Sequence, residues 1–357
     1  MKVCQALAQL GHEVTLLVPD DPSGRDNRAW ESLSVHYGLT MPFQIEWLSI
    51  PAISGRRGYS SMAVRRAGHL QADIIYTRVI PAAVWGLVRH LPVILEMHEL
   101  PAGRFGPLWY ILFLRLPGKK RLLFLTHALR QMLEKAYHPC LPEENVVVAP
   151  SGVDLERFEA LPDPEIARQQ LGLPSGPTVV CTGHLYAGRG MEMFLQLASR
   201  LPDVHFLWVG GREGDVQIWQ QKAYLGGFQN VHFAGFIPNQ RIPLYQAAAD
   251  VLVMPYQSSV AGSSGGDIAG VFSPLKMFEY MATGRAILCS DLPALRESLT
   301  EEMAIFCPPA DMDAWQVALE HLLTDREYNH RLARAARTEV NRYSWLERAR
   351  QTLMDFA

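Results

Sequence analysis

Short apolar blocks alternate with stretches of helical spacing along the whole chain, the pattern of a parallel α/β protein rather than a helical bundle or a β-sandwich. Val3, Leu7 and Leu10 line one helical face before Gly11, and a compact apolar run follows at 14–18, so the chain opens helix then strand. Strand-like blocks fall next at 43–48, 72–76, 92–95 and 145–148, with helical patterns at 82–89 and 126–136. Residues 20–66, rich in Pro, Gly, Ser and Arg, read as long loops plus short elements, with one strand-like piece at 43–48. An α/β domain normally starts with a strand and a glycine turn before its first helix. A first strand and its loop are therefore expected to be missing, through a truncated gene or a misplaced start.

From Pro162 the pattern restarts, with strands expected at 178–182, 205–209, 231–233, 250–254 and 286–290. Helices are expected at 191–200, 216–225, 242–249, 313–323, 326–340 and 344–356. This gives a first domain over 1–150, a second over 151–340, and a C-terminal helix within 341–357 that packs back toward the first.

The most informative stretch is S-P-L-K-M-F-E-Y-M-A-T-G at 273–284. Ser273 is expected as N-cap with Pro274 in the first helical position, and Gly284 as the left-handed stop. The free amides and dipole of that helix start suit a phosphate, with Lys276 and Glu279 three residues apart on one face. Amides and Lys276 would take a diphosphate and Glu279 vicinal hydroxyls; a surface ion pair between the two is the alternative. The loop G-H-L-Y-A-G-R-G at 183–190 follows a strand and precedes a helix, a second place for phosphate, with Arg189 supplying charge. S-S-V-A-G-S-S-G-G-D-I-A-G at 258–270 reads as a loop too flexible to pack a core, either ordering around ligand or simply solvated.

In the first domain, His98 stands just past a strand end in E-M-H-E, where ligands of open parallel sheets bind, though a structural histidine fits equally well. Residues 104–125 form the most apolar patch, edged by Arg115, Lys119, Lys120 and Arg121. Either it dips into an anionic membrane surface or it is a buried helix, a P-G turn and a buried strand; the second is favoured. Asp311 and Asp313 form a D-x-D that precedes a helix and reads as an N-cap rather than a metal site.

Composition narrows the classes. The 357 residues suffice for two or three domains by the rule of about 100–200 residues each. A net charge of -3 gives no general case for nucleic acid. Five cysteines, odd in number and without C-x-x-C spacing, indicate neither a disulfide framework nor zinc and read as cytosolic thiols. No run is long enough to span a bilayer, and the first residues are too polar for a signal peptide.

In order, A-L-A-Q-L-G-H-E-V-T-L-L, D-I-I-Y-T-R, E-M-H-E, T-H-A-L, A-P-S-G-V-D-L-E-R-F, G-H-L-Y-A-G-R-G, W-V-G-G, V-H-F-A-G-F-I-P, A-D-V-L-V-M-P and S-P-L-K-M-F-E-Y resemble the GT-B glycosyltransferases of family 4. The resemblance implies an α/β fold of two Rossmann-like parallel-sheet domains facing a cleft, the first here lacking its first strand. It implies a hexosyltransferase that works with retention and without cofactor or metal, in which the second domain holds a UDP- or GDP-linked sugar and the first an acceptor, lipid-linked or polysaccharide. Glu279 would hold the donor ribose, and the amides after Ser273, at Leu275 and Lys276, the diphosphate together with Arg189. Gly183, His184 and Gly211 would border the donor, and 235–238, with Phe236 and Ile237, would lie near the base. His98 would face the transferred sugar. A cytoplasmic enzyme is implied, with 104–121 as a peripheral contact at the inner membrane face. Val271 stands where the family commonly has an earlier glutamate, and His184 where its phosphate loop commonly has arginine. A sugar-nucleotide epimerase and a non-catalytic glycosyltransferase-like subunit are the alternatives.

Overall fold

The computed structural model describes residues 1–20, 28–49, 55–261 and 267–356. The chain divides into two compact units: residues 1–151 with 345–357, and residues 152–344.

Unit 1 runs α1 (Lys2–Gln9), β1 (Thr15–Pro19), α2 (Trp30–Tyr37), β2 (Gln44–Leu48), α3 (Gly55–His69), β3 (Ile75–Thr77), α4 (Ile80–Val88), β4 (Val93–Met97), α5 (Gly106–Arg115), β5 (Lys120–Phe124), α6 (His127–Ala136) and β6 (Val146–Val148). Its strands form two parallel sheets, β1–β2 and β3–β4–β5–β6. The V-I-L-E-M of β4 is buried at all five positions, as an inner strand covered on both faces must be. Thr126 caps α6 by accepting from the Leu129 amide at 3.1 Å.

The expectation of long loops plus short elements over 20–66 is corrected at α3, a helix of 15 residues. In α3 the buried positions Ser60, Val64 and Ala67 recur at helical spacing. Polar and arginine residues around them hide that stripe in the sequence, whereas the fold anchors it: Tyr59 donates to the Leu17 carbonyl at 2.7 Å and Arg66 pairs with Glu46 at 2.7 Å.

Unit 2 runs α7 (Pro164–Leu171), β7 (Thr178–Thr182), α8 (Met191–Arg200), β8 (His205–Val209), α9 (Glu213–Leu225), β9 (Val231–Gly235), α10 (Ile242–Ala247), β10 (Val251–Met254), α11 (Leu275–Thr283), β11 (Ala286–Ser290), α12 (Pro293–Arg296), β12 (Ala304–Cys307), α13 (Met312–Thr324) and α14 (Arg326–Glu339). Its six parallel strands lie in the order β12–β11–β10–β7–β8–β9. Alternation along the inner strands builds two cores: Val179, Cys181, Val251 and Val253 face one side, Val180, Leu252, Ile287 and Cys289 the other. Asp311 caps α13 by accepting from the Ala314 amide at 3.0 Å, and Asp313 pairs with Arg200.

The last helix, α15 (Trp345–Leu353), belongs to unit 1 and packs on α1. Phe356 enters the core with Ile94, Leu123 and Ala149. Arg121, only 4 % exposed, donates to the carbonyls of Thr352 and Met354 at 2.8 and 2.7 Å. Lys120 donates to the carbonyls of Phe113, Leu114 and Leu116, satisfying the free end of α5. Neither residue edges an exposed patch, which corrects that part of the reading of 104–121. The helix itself is one-sided: Tyr110, Phe113 and Leu114 are buried, whereas Leu108 and Leu112 are exposed.

Candidate functional site

In unit 2 the chain winds from β7 outward through β8 to β9, then returns to the other edge of β7 with β10 and winds the opposite way. Such a reversal opens a crevice at the strand carboxyl ends. The 183–190 loop leaves β7 there and 255–261 leaves β10, and the two run against each other: the Gln257 amide donates to the Gly188 carbonyl at 2.9 Å and the Ala261 amide to the Ala187 carbonyl at 3.2 Å. Gly190, at φ +87°, is required by this approach, since a Cβ there would lie 1.7 Å from the Pro255 carbonyl oxygen.

Two cations converge on the crevice. Lys276 lies under Gly183, whose missing Cβ would be 3.2 Å from its Nζ. Its ammonium donates to Cys181 Sγ at 3.6 Å and stands 5.0 Å from the Tyr256 ring centroid. The Arg189 guanidinium lies 5.5 Å from the same ring. Among the described residues neither cation has a carboxylate partner, and both Arg189 Nε and the Tyr256 hydroxyl are buried without a hydrogen-bond partner. Buried polar atoms and cations without protein partners, set side by side, could hold an anionic, hydrogen-bonding ligand. His184 stacks on Tyr186 at 4.9 Å, and Arg212 lies 5.7 Å from that same ring. Burial, then the charges of Arg212 and Arg189, push the His184 pKa down.

The helix beside these cations starts one residue later than expected. Pro274, at φ -74° and ψ 126°, is the N-cap of α11, and Ser273 stays outside the helix. The residue before a proline is held out of the α region, and here Pro274 itself remains extended. The first helical amides are thus those of Leu275 and Lys276. Gly284 ends the helix at φ 66°, in the left-handed region.

Lys276 and Glu279 do not pair with each other. The Glu279 Oε2 accepts from Gln246 Nε2 at 2.9 Å, and Gln246 is wholly buried, with Thr182 and Thr283 as further partners. The Tyr280 hydroxyl accepts from the Thr182 amide at 2.7 Å, tying α11 to the end of β7. Glu279 is half-buried and held through one oxygen, and the other could accept from a ligand's hydroxyl. Gly211 packs on Leu185 and Val216, Leu275 is 51 % exposed, Phe236 is 62 % exposed at the end of β9, and Ile237 packs on the core.

Residues 258–270 are corrected in part: Val260 and Ala269 are core, Ile268 packs against it, and the Asp267 carboxylate accepts from the Val260 and Ala269 amides at 2.9 and 3.0 Å. Residues 262–266 of that expected mobile loop lie outside the described residues. Val271 is buried.

In unit 1, His98 follows β4. Its Nε2 meets Glu96 Oε1, and its Nδ1 is 3.0 Å from Arg78 Nη2. Glu96 is buried and also accepts from the Tyr76 hydroxyl and, at 3.2 Å, from Arg348 of α15. Burial alone would raise the Glu96 pKa, but the His98 hydrogen bond, the Arg348 charge and the Tyr76 hydroxyl outweigh it and hold the carboxyl well below its usual range. Sequence reasoning missed Gln246, Tyr256 and Arg212 in unit 2 and Tyr76, Glu96 and Arg348 in unit 1. A glutamate inside an apolar strand and a glutamine inside I-P-L-Y-Q-A-A-A were the available signals.

Two family profiles match along the chain: "Glycosyltransferase Family 4" over residues 1–157 and "Glycosyl transferases group 1" over residues 176–325. The chain belongs to the family 4 glycosyltransferases. It is 28% identical over 208 residues to a GDP-mannose-dependent phosphatidylinositol monomannoside mannosyltransferase of Mycolicibacterium smegmatis, covering 57% of this chain and 52% of that protein. It is 30% identical over 156 residues to a putative teichuronic acid biosynthesis glycosyltransferase of Bacillus subtilis, covering 42% and 36%. The chain spans about half the length of the first of these curated relatives and about a third of the second. Among solved structures, its fold is similar to Anabaena HepE in complex with UDP and glucose, at a TM-score of 0.74 and 17% identity over 99% of this chain and 94% of that one. Sucrose-phosphate synthase of Thermosynechococcus elongatus gives 0.74 at 19% identity, covering 99% and 91%. The α/β fold with parallel sheets is thus that of GT-B glycosyltransferases.

Proposed function

We propose that this family 4 glycosyltransferase is a hexosyltransferase that takes its sugar from a UDP- or GDP-linked donor held by unit 2 and passes it to a lipid-linked or polysaccharide acceptor with retention. The observation that carries the reading is the pair Arg189 and Lys276, uncompensated by any carboxylate among the described residues, beside the first amides of α11. As the glycosidic bond breaks, negative charge grows on the leaving nucleoside diphosphate, and fixed cations and amides stabilise it without reorganising. In this reading the two side chains and the α11 amides supply the positive charge for the diphosphate without a bound metal. Glu279 takes the ribose hydroxyls on its free oxygen, and His98 acts toward the transferred sugar.

Thermal unfolding in the presence of UDP, GDP and their sugars tests the donor half. At one hundred times its Kd, a nucleotide that binds only the folded state adds about 2.7 kcal/mol. That shifts the transition of a unit this size by roughly 5–10 °C. One base should shift it and the other not. No shift with either at millimolar concentration, or a shift undiminished in Lys276→Met, removes the assignment; sugar conversion without any acceptor would make the chain an epimerase instead.

The outward face of α5 supports a membrane-borne acceptor. Leu108 and Leu112 are 61% and 42% exposed, Phe105 adjoins them, and Arg104, Arg115 and Lys119 are exposed around them. Basic residues beside an apolar helical face suit an anionic lipid surface. The protein should co-sediment with phosphatidylglycerol vesicles at low salt and lose that binding in Leu108→Glu/Leu112→Glu. Absence of sedimentation at every ionic strength rules the contact out.

A further inference from the structure

The hydrogen bonds around His98 fix more than its position. An ionised carboxylate only accepts and a guanidinium only donates. Glu96 receives three donors, from Tyr76, Arg348 and His98, which is the environment of a carboxylate. The ring nitrogen facing it, Nε2, must therefore carry the proton. The other, Nδ1, faces Arg78 Nη2 at 3.0 Å and must be the acceptor. Only the neutral Nε2–H imidazole satisfies both contacts, since an imidazolium would aim an N–H at the Arg78 guanidinium.

We propose that Glu96 is a positioning residue that holds His98 as the Nε2–H tautomer, so that Nδ1 is offered at the end of β4 as a hydrogen-bond acceptor for a sugar hydroxyl. The part concerning the sugar rests on the transferase reading; the tautomer does not. Arg78 is exposed, with His98 Nδ1 as its hydrogen-bond partner, so a hydroxyl can replace it there without uncovering a buried charge. Arg348 completes the arrangement: its guanidinium also donates to the carbonyls of Pro150 and Ala149 at 2.8 and 3.3 Å and to the Tyr76 hydroxyl at 3.2 Å. The C-terminal helix thereby holds Glu96, and Glu96 holds the ring. The lowered pKa of Glu96 agrees with this: burial opposes the charged form, but the His98 hydrogen bond, the Arg348 charge and the Tyr76 hydroxyl outweigh it.

Glu96→Gln separates positioning from packing. Tyr76 and Arg348 both donate toward the position of Oε2, so they draw the new carbonyl oxygen to themselves and leave the NH2 facing His98. A donor there forces Nε2 to become the acceptor and moves the ring proton to Nδ1, which then presents a donor where an acceptor is needed.

The experiment is long-range 1H–15N NMR of the full chain carrying 15N-imidazole, with His98 assigned by its disappearance in His98→Gln. The parent protein should show His98 protonated on Nε2 at pH 7.5, and Glu96→Gln should show Nδ1–H. With turnover measurable, Glu96→Gln should lower kcat roughly 10–100-fold, the cost of one unsatisfied hydrogen bond to the sugar, with the donor KM unchanged. A parent His98 that is Nδ1–H or doubly protonated overturns the proposal without needing any Glu96 variant to fold. So does Glu96→Gln with the parent's tautomer and kcat. A parent chain that turns over no nucleotide sugar counts against the transferase reading, while the tautomer measurement still judges the role of Glu96.

Discussion

Lys276→Met should lower kcat/KM for the nucleotide sugar by about 10²–10³-fold while leaving the melting temperature within a degree or two of the parent. The size follows from what one preorganised electrostatic donor contributes at a centre of developing charge, about 2.7–4 kcal/mol. The small effect on folding follows from the surroundings of the side chain. Lys276 is half-buried with its ammonium 5.0 Å from the Tyr256 ring centroid and 5.9 Å from that of Trp208, and methionine nearly keeps its length and offers a polarisable sulfur toward the same rings. Its direct neighbour, Cys181, does not neutralise it: burial pushes that thiol pKa up against the opposing pull of Lys276, so the thiol stays protonated and the ammonium charge remains for the ligand. Steady-state kinetics with thermal unfolding as control decides the matter. A variant within threefold of the parent would mean that the diphosphate lies elsewhere.

The sequence revealed this site unevenly, for identifiable reasons. Period and punctuation carry directly into parallel strands, so β7, β8, β10 and β11 lie where apolar blocks and their bounding residues place them. The Lys276–Glu279 pair was visible because both residues sit on a helix whose start and stop chemistry is explicit, even though proline geometry moved that start by a residue. By contrast, α3 was hidden because a half-covered helix needs only three buried positions, and Arg and Gly dilute its pattern. Gln246 was hidden because its role depends on a partner 33 residues away, and the Glu96–Arg348 contact joins strand and final helix across most of the chain. Local pattern states which residues are helical or buried; it does not state which buried polar groups find each other.

That long-range contact carries the second large effect. Arg348→Met should destabilise unit 1 by about 3–5 kcal/mol, because it strands a buried carboxylate rather than merely deleting a bond. Arg348 and Glu96 have side chains 4% and 5% exposed, and among the described residues no other arginine or lysine forms an ion pair with that carboxylate. The pH dependence has a definite sign. Glu96 has a lowered pKa in the folded protein, so its contribution is fully present above the unfolded carboxylate value of about 4.3 and is lost as pH falls through that value toward the folded one. In Arg348→Met the Glu96 pKa should rise, since burial then acts with less opposition. The stability gap between parent and variant should be full at pH 7 and narrow as pH falls through the variant's raised Glu96 pKa toward the parent's lowered one, so that it is smaller at pH 4. Hydrogen exchange at the β3–β6 amides reads unit 1 separately from unit 2. Arg348→Met/Glu96→Leu should recover much of the loss at pH 7, because removing both charges costs less than leaving one buried and alone. Equal destabilisation at pH 7 and pH 4, or no recovery in the double variant, would mean that Arg348 acts through packing against Trp345 and the 149–150 carbonyls rather than through its charge.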